Sequence, residues 1–85
     1  MTETVKVAGV QMDPKIIQTG LNLECMMERL QEAAANKARI VVFPECALTG
    51  YCFYDLEEAR PYAETIPGPG TETMATLCAE LNVYA

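Results

Sequence analysis

Histidine is missing from the 85 residues, and basic side chains are scarce: 6 against 12 acids, a net charge of −6. Without histidine, a general base or a metal ligand has to come from another residue type. The shortage of lysine and arginine removes the positive stripe that phosphate binding needs, which excludes nucleic acid as a partner. It excludes an anionic membrane surface on the same ground. No apolar run approaches the ~20 residues needed to span a bilayer. The N-terminus, MTETVKVAGV, carries acid where a secretory leader carries base. The four cysteines (Cys25, Cys46, Cys52 and Cys78) form no C-x-x-C pair, which argues against a zinc site. A cytoplasmic protein with reduced thiols and no metal or cofactor is the expectation.

What the sequence does hold is 51% hydrophobic and 21% charged residues, ordinary for a globular chain. The length permits one small domain at most, which buries only about 60–65% of its unfolded surface. Val5 to Gln11 (VKVAGVQ) reads as a strand with Val5 and Val7 on one face and Ala8 and Val10 on the other. Both faces are apolar, as in an internal strand of a parallel sheet. Asp13-Pro14 closes it. A helix is expected over Leu21–Ala38, with Leu23, Met27, Leu30 and Ala34 on one stripe, widened by Met26 and Ala33. Thr19 or Asn22 supplies its N-cap.

Arg39 to Tyr51 (RIVVFPECALTGY) follows. Ile40 to Phe43 is a β-branched apolar run suited to a strand covered on both faces. Pro44 has no N–H to donate and ends the ladder. Strand, helix and strand make a βαβ unit. Beyond Gly50, aromatic Tyr51, Phe53 and Tyr54 crowd around Cys52, Asp55 caps a short helical piece, and Ile66-Pro67-Gly68-Pro69-Gly70 is a loop. Met74, Leu77, Cys78 and Leu81 predict a last helix from Thr71, its N-cap, to Asn82, its C-cap. Val83-Tyr84-Ala85 begins a third strand and the sequence stops there, so the chain reads as cut.

Glu45 lands just past the carboxyl end of the second strand, the edge where open α/β sheets bind ligands. One reading is a carboxylate facing water or capping a turn. The other is a general base, its pKa raised towards neutrality by burial beside Phe43, Tyr51 and Tyr54. Cys46 points away from Glu45 in extended chain and reads as structural. The aromatic cluster either lines a pocket or covers the sheet edge. Gly68-Pro69-Gly70 hints at a phosphate cradle, but a dinucleotide fingerprint needs glycine where Thr73 stands. A rigid loop that sets the helix start is the preferred reading, and a small nucleotide-binding domain is disfavoured.

VAGVQMDP, ARIVVFPECALTGY and IPGPGTETMATLCAELNVY, in this order and with a helix between the first two, resemble the start of the nitrilase superfamily of carbon–nitrogen hydrolases. The resemblance implies an α/β fold, the first βαβ(α)β portion of an α-β-β-α sandwich, with residues 1–85 as its N-terminal part. It implies a Glu-Lys-Cys catalytic set without metal or cofactor, acting on a small-molecule amide, nitrile or N-carbamoyl compound. Glu45 corresponds to the general base. In that chemistry the base takes the cysteine proton, the thiolate attacks the substrate carbon, and the lysine stabilises the resulting negative charge. Ammonia or an amine leaves, and Glu45 then activates the water that hydrolyses the thioester. The T-G-Y turn and the aromatic cluster place Tyr51 near the base, which makes it the candidate substrate-binding residue. A homo-oligomer is implied for the full-length form. Lys6, Lys15 and Lys37 do not match the family lysine, nor does any cysteine here match the nucleophile. The chain alone is therefore expected to be inactive, and a non-catalytic interaction subunit is the alternative.

Overall fold

The computed structural model describes residues 3–85; Met1 and Thr2, part of the leader argument, lie outside the described residues. Its elements are β1 (Val7–Gly9), α1 (Thr19–Ala35), β2 (Ile40–Val42), α2 (Leu56–Ala59), a 3-10 turn (Arg60–Tyr62) and α3 (Pro69–Leu81). β1 and β2 are parallel, with Val7 opposite Ile40 and Gly9 opposite Val42. Backbone bonds extend the pairing to either side: Arg39 N–H donates to Lys6 O (2.9 Å) and Val10 N–H to Val42 O (2.8 Å). On the other edge of β2, Ile40 pairs with Tyr84 in parallel, through Tyr84 N–H to Arg39 O and Val41 N–H to Tyr84 O, each 2.8 Å. The third strand thus begins where the sequence places it, and β2 is central. This is the βαβ(α)β start expected of the α/β fold.

The core lies between this sheet and α1 and α3. Leu30 and Val41 are fully buried, joined by Ala38, Leu77 and Val83. Met27, Ala33 and Ala34 of α1 and Met74, Cys78 and Leu81 of α3 pack against them, so both apolar stripes face inward as their spacing requires. The acids of α1 stay in water, where Arg29 meets Glu32 at 2.9 Å.

Three expectations need correction. The strands are not covered on both faces: Val7 is 58% and Val42 57% exposed, because α1 and α3 occupy one side only. The first helix starts at Thr19, two residues early, and neither Thr19 nor Asn22 caps it; Gln18 holds the cap position without a side-chain bond. It ends at Ala35, three residues early, and Lys37 takes a positive φ of 72° before Ala38 enters the core. Thr71 is not the cap of α3. The helix begins at Pro69, whose fixed φ suits a first turn, and Gly68 is the cap residue. The Thr71 hydroxyl reaches back instead, accepting from Gly68 N–H (2.8 Å). At the other end Asn82 caps α3 in the left-handed conformation (φ 57°), as expected. Asp55 caps α2 by accepting from Glu58 N–H (3.0 Å), also as expected.

Candidate active site

β2 delivers its carboxyl end to Phe43, Pro44 and Glu45. Pro44 ends the pairing, and residues 45–49 turn sharply, closed by Gly50 N–H donating to Cys46 O (2.9 Å). Glu45 therefore sits at the strand end as the sequence implies. It lines a crevice of about 520 Å³ whose other wall is Asp13, Pro14, Lys15 and Ile16, with Tyr51 and Cys52 at its side. The structure thus brings Glu45 and Tyr51 to one place.

Burial does not follow. Glu45 is exposed, Tyr51 is 69% exposed and Tyr54 98% exposed. The apolar wrapping expected around the carboxylate is not built by these residues, because the aromatic cluster splits three ways. Tyr51 lines the crevice and Tyr54 stands in water, while Phe53 stacks on Tyr62 at 6.4 Å between ring centroids. Cys46 also departs from expectation. It lies in the turn with φ 54°, not in extended chain, and it is exposed. Cys52, not Cys46, reaches the crevice. Lys15 does as well, its Nζ ion-paired to Asp13 Oδ2 at 2.7 Å. A carboxylate, an amine and a thiol therefore share one concavity.

Two loops form the walls, and one buried side chain joins them. Asn22, on α1, is only 2% exposed. Its Oδ1 accepts from Lys15 N–H (2.7 Å), and its Nδ2 donates to Lys15 O (2.7 Å) and Leu48 O (2.8 Å). Ile17 N–H adds a bond to Thr49 O (3.0 Å). Gly50, at φ 85°, lets the turn lie against the first loop: a Cβ there would stand 2.6 Å from Ile16 Cα. This role for Asn22 is not among the expectations from the sequence. Its spacing signals burial but not these partners, since Asn22 precedes Met26 and Leu30 by one and two four-residue steps, a polar side chain in line with the apolar stripe.

A second, more apolar cavity of about 330 Å³ lies between α1 and α3, lined by Leu23, Met26, Phe43, Leu48, Ile66 and Met74 among others. Its carboxylate, Glu64, accepts from Gly70 N–H at 2.6 Å. With Gly68 N–H held by Thr71, two amides of the glycine loop are already bonded within the chain. That favours the rigid-loop reading over a phosphate cradle. Among the described residues, no three histidine, cysteine, aspartate or glutamate side chains gather as a metal site. All four cysteines are free; Cys25 and Cys78 are partly buried on their helices, and burial pushes the Cys78 thiol up from its ordinary value.

Comparison with known proteins places the chain in a family. The carbon–nitrogen hydrolase family matches residues 6–85. The nitrilase of Pyrococcus abyssi is 37% identical over 81 residues, covering 94% of this chain and 31% of that protein. The omega-amidase of Xenopus tropicalis is 38% identical over 64 residues, covering 75% and 21%. The protein N-terminal amidase of Saccharomyces cerevisiae is 28% identical over 86 residues, covering 95% and 19%. The chain spans about a third or less of the length of these relatives. With its FPE strand end and the family match over residues 6–85, it belongs to the carbon–nitrogen hydrolases of the nitrilase superfamily and carries an N-terminal segment of that fold.

Proposed function

We propose that Glu45 is the general base of a hydrolase that cleaves a non-peptide C–N bond in a small amide, nitrile or N-carbamoyl compound. The observation that carries the reading is the placement of Glu45 at the end of β2, in a crevice shared with Tyr51. Glu45 takes the proton of a cysteine thiol, and the thiolate adds to the substrate carbon. With an amide, Glu45 passes that proton to the nitrogen, so that ammonia or an amine departs on collapse of the adduct and leaves a thioester. Glu45 then takes a proton from water, which releases the acid and the thiol. Tyr51 lines the acyl pocket. The lysine that stabilises the oxyanion and the attacking cysteine come from chain beyond these residues, so this chain alone does not turn over substrate. Acting as a homo-oligomer in the cytoplasm belongs to the same proposal.

The open sheet face favours a second reading, an interaction subunit that pairs with a full-length relative: Val7, Ile40 and Val42 lie uncovered there. Incubation with a panel of small amides and nitriles, followed by intact-mass measurement and ammonia assay, separates the two. The complete gene product is expected to release ammonia and to carry a transient acyl adduct, and the 85-residue chain to do neither. No adduct and no ammonia from the complete product on any of them contradicts the hydrolase reading. Turnover by the short chain that is lost in Cys52→Ser would instead place the nucleophile in the crevice described above.

A further inference from the structure

We infer that Asn22 is a positioning residue that sets the shape of the Glu45 crevice by clamping its two walls together. The inference rests on the reading of Glu45 as the base. Asn22 is the one polar side chain among the described residues that is buried with the core. A primary amide has one oxygen and two N–H groups to satisfy. Here all of the bonds run to backbone, and none serves α1 itself: two go to Lys15 and one to Leu48. Lys15 belongs to the wall opposite Glu45. Leu48 belongs to the turn that Glu45 opens.

The side chain therefore fixes a loop seven residues before it and another 26 residues after it. The neighbouring stitches depend on that registration. The Ile17 N–H meets Thr49 O, and Gly50 packs on the Ile16 backbone, only while the two loops stay in contact. Neither loop has regular structure to hold itself, and the turn contains a non-glycine residue, Cys46, at φ 54°. Such a residue persists in the left-handed region only where its surroundings hold it. Replacing Asn22 by alanine leaves the Lys15 N–H and two carbonyls without their protein partner in a partly buried place, and both walls are released together.

Amide hydrogen exchange on the 85-residue chain reads this directly, with Leu30→Ala as a variant that weakens the core without touching either loop. Asn22→Ala is expected to speed exchange at Lys15, Ile17 and Gly50 by about tenfold or more beyond its effect on β2 amides. Leu30→Ala should raise exchange at all of them together. Asn22→Asp keeps the acceptor for Lys15 N–H but loses both donors, so protection should return at Lys15 more than at Ile17. In the complete gene product, Asn22→Ala should lower kcat by about tenfold or more with KM within about threefold. Uniform exchange changes in Asn22→Ala, like those of Leu30→Ala, would overturn the clamp; local release with unchanged kcat would overturn the positioning role. Full activity in Glu45→Gln would defeat the base assignment instead, and the exchange data would still decide the clamp.

Discussion

Val41 and Val42 are neighbours in the same strand, chemically identical, and only 1% of one is exposed against 57% of the other. The comparison extends to the whole sheet. On one face Ala8, Val10 and Val41 meet Leu30 and Leu77; on the other Val7, Ile40 and Val42 stand open. Alternation of side chains across the pleat assigns the faces, but the helices present in the chain cover only one. An apolar run states that both faces suit burial. It does not say what buries the second.

The largest expected effect is on the covered side. Leu30→Ala should cost about 2–5 kcal/mol of unfolding free energy, read by urea titration, because it opens a cavity in a side chain with no exposed surface. In a small domain that removes a large share of the total. The adjacent valines sharpen the comparison. Val41→Ala should cost about 2 kcal/mol, whereas Val42→Ala should stay within about 0.5 kcal/mol. Equal losses at the two positions would mean that the open face is covered in solution, and sedimentation across a concentration series would then detect the partner copy.

A smaller effect is expected at alkaline pH. Burial raises the Cys78 thiol above its ordinary 9.0, so the unfolded chain releases that proton first. Stability from this group is complete below pH 9.0 and declines as pH rises towards and through the higher folded value. In Cys78→Ala the alkaline loss seen in thermal unfolding should be shallower than in the parent chain.

Much of this was legible from the sequence because the signals are local. Three- and four-residue steps place Met27, Leu30, Leu77 and Leu81 inward, Pro44 marks the end of β2, and Asp55 and Asn82 mark helix ends. What escaped depends on contacts between distant segments. Nothing in the spacing around Asn22 says that its amide reaches Lys15 and Leu48, since those bonds exist only after both loops fold over α1. The residue type of Thr71 suggests a cap, but Pro69 moves the helix start upstream and turns the threonine into a back-bonding residue. The burial expected at Glu45 failed for a related reason. Tyr51, Phe53 and Tyr54 are adjacent in sequence, but the chain bends between them and sends each ring to a different place.

Glu45, a carboxylate at a strand end, is the proposed carrier of the proton transfers of C–N bond cleavage. Glu45→Gln in the complete gene product, assayed for kcat/KM on the best amide or nitrile of a panel, tests it most directly. The substitution keeps size and polarity at an exposed position, so folding should be unchanged by circular dichroism and thermal midpoint. Loss of a positioned general base predicts a fall of about 10²–10⁴ in kcat/KM. A folded Glu45→Gln protein within a few-fold of the parent would contradict the assignment.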